Sequence, residues 1–139
     1  MLSSEARPRT RWYLDASVAL RLLLGHSAEA VDWFDERAAA GDAFVSSRLL
    51  ELEITRVYRR EGLAVGEVGE FVERVNLLAV DDALVAEAGA IRPHIKSLDA
   101  LHLASAQRIG VGAVSVVTHD AAMAKAADML GFDVFDPVA

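Results

Sequence analysis

The chain has 139 residues, 53% of them hydrophobic, no cysteine and a formal net charge of −7. That length suits one ordinary domain with its own core, and that apolar content excludes a disordered polypeptide. Lack of cysteine excludes a disulfide framework and a thiolate metal site. His26, His94, His102 and His119 show no ligand spacing, so any cation is expected on oxygen.

Residues 1–11, polar and broken by Pro8, read as a flexible leader, and residues 12–139 as a single domain. Trp12 to Ala16 reads as a short buried strand, with Ser17 suited to cap a helix over 18–24. Gly25-His26-Ser27 ends that helix and caps the next, 28–40, whose Val31, Phe34 and Ala38 share a face. Gly41-Asp42 turns the chain into a strand at 43–46. Ser47 opens a helix to Arg60, closed by Gly62, and Val65 to Val75 gives another amphipathic helix. A strand at 77–80 and a helix at 83–90 follow, with Asp81-Asp82 capping the helix. Leu98 to Ile109 is an Ala/Leu-rich helix, apolar nearly all round and so expected to be buried. The β-branched run 114–118 fits a central strand, 120–130 a helix and 132–135 a last strand.

Strand and helix alternate throughout, without repeats or a low-complexity linker. This is the signature of an α/β three-layer sandwich with a mainly parallel central sheet, in which ligands bind beyond the carboxyl ends of the strands. Four acids fall at or next to such element ends: Asp15 in Tyr13-Leu14-Asp15-Ala16-Ser17, Glu53 in Leu50-Glu51-Leu52-Glu53-Ile54, Asp99 in Ser97-Leu98-Asp99-Ala100-Leu101-His102, and Asp120 in Val117-Thr118-His119-Asp120.

Two carboxylates about 4 Å apart repel by roughly 4 kcal/mol at an effective dielectric near 20. Four gathered together need a cation, or their pKa values must rise. Mg²⁺ or Mn²⁺ accepts such oxygen ligands, keeps several waters and stabilises charge on a phosphodiester, so phosphodiester hydrolysis is the chemistry this set suits best. Each acid also has a plainer reading. Asp120 can serve only as a helix cap. Asp15 has Ser17 nearby to cap in its place and is freer for chemistry. Glu53 competes with Glu51, which points about 200° away on a helix. His102 shares a helix face with Asp99 and reads as a satisfied core or rim histidine, and His119 as a turn residue.

The net charge argues against nucleic acid, but its distribution softens the objection. Residues 1–60 hold nine arginines against nine acids, whereas residues 61–139 hold five basic side chains against twelve acids. Arginine's planar fork suits phosphate, and Arg56, Arg59 and Arg60 on the Glu53 helix are candidates for the rim of the acidic pocket. No uncharged apolar run approaches the ~18 residues of a membrane span. The Arg-bearing start lacks the apolar segment of a secretory signal, which gives the expectation of a soluble, cytoplasmic protein with no membrane contact. A phosphoaspartyl enzyme would want a second Asp two positions after Asp15, where Ser17 stands. A receiver-like domain begun at Asp81-Asp82 would have only 57 residues left to complete its fold.

Taken with Ser47, Glu53, Arg56 and Arg59-Arg60, the segment Tyr13-Leu14-Asp15-Ala16-Ser17 resembles the first half of a PIN domain. Ser97-Leu98-Asp99-Ala100-Leu101-His102-Leu103-Ala104, Val117-Thr118-His119-Asp120 and Gly131 resemble its second half. The size is similar to that of VapC-type toxins of bacterial toxin–antitoxin pairs. The resemblance implies a Mg²⁺-dependent ribonuclease (Mn²⁺ being the alternative ion), with Asp15 and Asp99 as principal metal ligands, Asp120 completing the acidic site and Glu53 acting directly or through water. It also implies an RNA substrate, a homodimer and a small antitoxin whose tail lies across the site. A PIN nuclease that is not a toxin, and a binding module of the same fold without turnover, are the alternatives.

Overall fold

A computed structural model describes residues 10–138; most of the expected leader, residues 1–9, lies outside them. Twelve elements follow in chain order: β1 (Arg11–Leu14), α1 (Ala16–Leu24), α2 (Ala28–Ala39), β2 (Ala43–Ser47), α3 (Arg48–Arg60), α4 (Gly66–Val72), β3 (Asn76–Leu78), α5 (Asp82–Gly89), α6 (Ser97–Ile109), β4 (Ser115–Val117), α7 (Ala121–Met129) and β5 (Asp133–Phe135). Every strand pairing is parallel, and the sheet order is β3-β2-β1-β4-β5.

The period of two along each strand divides the core between the two faces of the sheet. Leu14, Phe44 and Val117 pack with α1, α2, α3 and α4 through Val18, Phe34, Ile54 and Phe71. Tyr13, Val45 and Val116 point to the other face, against Leu103 and Ala106 of α6 and Met123 and Ala127 of α7. Helices on both faces of a parallel sheet make the three-layer sandwich that the alternation predicts. Among the described residues no helix is long and apolar enough to cross a membrane.

The chain order reverses at β1, which pairs with β2 on one side and β4 on the other. That switch point opens a crevice beyond the ends of β1 and β4. Asp15 directly follows β1, and Thr118-His119-Asp120 directly follows β4. The Asp15 amide donates to the Val117 carbonyl at 3.2 Å and joins the two strand ends.

Several boundaries differ from the sequence reading. Helix α1 starts at Ala16 because Asp15 itself is the cap, its carboxylate accepting from the Val18 amide. Helix α4 is shorter than 65–75, since the chain leaves it through tight turns from Arg74 to Phe71 and from Val75 to Val72. Strand β3 covers Asn76–Leu78 rather than 77–80, because only those residues pair with β2, and Asp81 caps α5. Helix α6 is not buried all round: His102 to Ala106 are buried, whereas Leu98 is 48% exposed.

Candidate active site at the strand ends

Asp15 is buried and held by three donors. Its Oδ1 accepts from the Ser17 hydroxyl at 2.7 Å and the Val18 amide at 3.1 Å, and its Oδ2 accepts from the Thr118 hydroxyl. Burial nevertheless pushes its carboxyl above the ordinary carboxylate value, against the lowering effect of these bonds. Ser17, expected to be the helix cap, instead braces the loop across the crevice: its Oγ accepts from the His119 amide at 3.0 Å. Thr118 Oγ1 likewise accepts from the Asp120 amide at 3.0 Å. Donors from both strand ends thus fix the orientation of Asp15.

Asp99 sits in the first turn of α6, where the helix N-terminus favours negative charge. Its carboxyl is also raised, first by burial, then by the charge of Asp120, and further by Asp15 and Glu53, with only His102 opposing. Asp99 therefore feels the charge of the other three expected acids at this end of the sheet. No hydrogen bond contributes to the shift at Asp99, so it is the acid with the least internal compensation.

Asp120 is the N-cap of α7, with Oδ1 accepting from the Ala122 and Met123 amides at 2.8 and 3.1 Å. Glu53 lies midway along α3, and its Oε1 meets His102 Nε2 at 2.6 Å. Glu51 turns away and pairs with Arg48 at 3.4 Å. His102 is a satisfied core histidine, since its Nδ1 also meets the Tyr13 hydroxyl at 2.7 Å. His119 is more than a turn residue: its Nδ1 pairs with Asp136 at 2.8 Å and ties the β4–α7 loop to the chain after β5.

The carboxylates surround one another loosely. Among the described residues no three His, Asp or Glu side chains converge closely enough to hold a metal ion as they stand. Three of the four have partners within the protein: Asp15 has three donors, Glu53 has His102 and Asp120 has two amides. Mg²⁺ fits such a site all the same, because it commonly takes one or two carboxylates and completes its octahedron with water. A raised, hydrogen-bond-poor carboxyl amid three other acids has the chemistry of a hard-cation site.

The sequence did not reveal Ser17 and Thr118 as the holders of Asp15, or Tyr13 behind His102. The Asp99-x-x-His102 spacing placed His102 on the face of Asp99 but carried no signal of Tyr13.

The PIN domain family profile matches residues 12–129. Two ribonucleases of Mycobacterium tuberculosis, VapC46 and VapC35, are each 32% identical to the chain, over 127 and 133 residues, covering 90% of it and 96% of their own length. The fold is similar to that of VapBC2 from Rickettsia felis bound to a DNA fragment from their promoter, with TM-score 0.70 and 13% identity over 91% of this chain and 98% of that one. It is also similar to a toxin–antitoxin complex from Klebsiella pneumoniae, with TM-score 0.64 and 18% identity over 90% of this chain and 96% of that one. With its strand-end acids, its all-parallel sheet and a family match over most of its length, the chain belongs to the PIN domain family.

Proposed function

We propose that this chain is a divalent-metal-dependent endoribonuclease, the toxin of a toxin–antitoxin pair, with residues 12–139 as its nuclease domain. The observation that carries the reading is the placing of Asp15 and Asp120 directly after β1 and β4, with Asp99 in the facing first turn of α6, where burial and then the charge of Asp120 raise its carboxyl. The names of the two VapC ribonucleases supply the substrate class.

Asp15, Asp99 and Asp120 are the groups that would hold Mg²⁺ or Mn²⁺. When bound, the ion supplies Lewis-acid stabilisation of the phosphodiester and of the attacking water. Asp15 enters that role already oriented, because three donors fix its carboxylate before any ion arrives. Glu53 has Oε1 occupied by His102, which leaves Oε2 to accept the proton that a water loses as it attacks phosphorus. Exposed Arg56 and Arg59 on α3 are available to RNA phosphates, whereas Arg60 of the expected rim pairs with Glu61 at 3.1 Å.

The same acids would accept an Arg or Lys from an antitoxin tail in place of the cation, with apolar side chains of that tail in the adjoining groove. Exposed Leu52, Val85 and Leu98 offer apolar surface for a homodimer.

The test is cleavage of single-stranded and structured RNAs by the purified chain with Mg²⁺ or Mn²⁺. Cleavage that stops in chelator and in Asp15→Asn is expected. A chain that binds the RNAs but cuts none of them would be a binding module. Hydrogen exchange with the cognate antitoxin should protect segments around Asp15, Asp99 and Asp120, and protection confined to a remote surface would refute occlusion of the site.

A further inference from the structure

Behind Glu53 the core holds a chain of hydrogen bonds that an acidic metal site does not require. His102 is 1% exposed, yet both of its ring nitrogens are paired, Nδ1 with the Tyr13 hydroxyl and Nε2 with Glu53 Oε1. Tyr13 is fully buried, and its phenol has a proton to donate. The neighbouring Ser46 and Ser105 hydroxyls spend their own protons on the Leu14 and Leu101 carbonyls. Because the Glu53 carboxylate can only accept, the imidazole carries a proton on Nε2, which leaves Nδ1 to accept from the Tyr13 hydroxyl.

The three residues come from β1, α6 and α3, so the chain of bonds runs from the central strand through one helix to another. A glutamate on a helix face otherwise samples many rotamers. One charge-assisted bond from an immobile ring removes that freedom and leaves the second oxygen unspent.

We propose that Tyr13 and His102 form a buried positioning pair that fixes the rotamer of Glu53 and presents its Oε2 to the attacking water. This deepens the nuclease reading and rests on it. His102 touches neither substrate nor cation; it acts through Glu53.

The experiment uses the full chain and two substitutions of unequal reach. His102→Gln places an amide N–H near the position of Nε2, whereas His102→Asn keeps a polar group near Nδ1 but cannot reach Glu53. His102→Asn should lower kcat about 10²-fold with KM little changed, the scale of a misplaced reacting group, and His102→Gln should recover much of that loss. In a Glu53→Gln background, His102→Asn should cost nothing further under single-turnover conditions. Equal losses in both backgrounds would overturn the proposal and leave His102 a core residue only. Nitrogen-resolved NMR of the imidazole, without metal or RNA, should show a slowly exchanging Nε2–H tautomer that gives way to a mixture in Tyr13→Phe. An Nδ1–H tautomer in the wild type would overturn the pair. A wild type that cuts no RNA would overturn the nuclease reading instead, and the imidazole spectrum would still decide the hydrogen-bonded chain.

Discussion

Helix α6 has acids near both of its ends, and the chain treats the two groups in opposite ways. In the last turn Arg108 donates to Asp81 and Glu87 through bonds of 2.9 to 3.2 Å. Both carboxyls are held below the ordinary value, first by those bonds, and the guanidinium is stabilised in turn. In the first turn Asp99 stands among Asp120, Asp15 and Glu53, and burial and repulsion raise its carboxyl. One acidic group has its cation built in. The other has a buried histidine behind it and no guanidinium or ammonium group among the causes of its shift. An acidic cluster neutralised by its own arginine is closed to metal, whereas one left raised gains by taking a cation from outside.

The largest effects are expected at the strand-end cluster. Asp15→Asn or Asp99→Asn should lower RNA cleavage about 10³-fold or more at saturating Mg²⁺, since each removes charge at the place where the phosphodiester must be stabilised. Retained turnover in either variant removes that residue from the site. Next comes the pair on α3. Glu53→Gln should cost about 10²-fold, the lower range for a lost proton acceptor. Glu51→Gln, pointing away toward Arg48, should leave the rate close to wild type. Equal losses, or the reverse order, would mean that Glu51 faces the reaction.

A smaller effect sharpens the contrast through pH. A carboxyl raised in the folded state holds a proton that the unfolded chain has already lost. Asp99 and Asp15 therefore withdraw stability from the metal-free protein as pH rises from the ordinary carboxylate value, near 4, through their raised values. Asp81 and Glu87 act in the other direction, contributing stability above the ordinary value that is lost as pH falls. Metal-free Asp99→Asn should thus melt above the wild type at neutral pH and lose the difference in acid. A lower melting temperature at neutral pH would show that Asp99 is not repelled by its neighbours. The smallest effect belongs to Arg108→Met, which should cost a little stability at low salt, less at high ionic strength, and no cleavage activity. Loss of cleavage in that variant would tie the two clusters together.

Much of this was legible in the sequence because it is local. The alternation of short apolar runs with amphipathic helices gave the parallel sandwich, and an acid directly after an apolar strand marked the carboxyl end of β1. Other features were decided by residues far along the chain. Asp15 and Ser17 compete for the α1 cap two positions apart, and nothing nearby favours either. Thr118 and the His119 amide settle the roles from across the crevice, 103 and 102 positions away. The Tyr13–His102 bond spans 89 positions. A buried polar pair of that range leaves no periodicity to read. Helix α6 misled for a related reason: Ala and Leu make it uniformly apolar, yet its first turn lies at the mouth of a site and so stays half open.

Arg108 neutralises one acidic cluster of α6, whereas the cluster around Asp99 has no such partner, a contrast that metal binding can probe. Calorimetric titration of the purified full chain with Mn²⁺ and Mg²⁺ at neutral pH, beside Asp99→Asn and Asp81→Asn, tests it most directly. A site is expected whose affinity falls as pH is lowered, because protons compete for the raised carboxyls. That site should be lost or greatly weakened in Asp99→Asn and intact in Asp81→Asn. Undiminished binding in Asp99→Asn, or binding that disappears with Asp81, would contradict it.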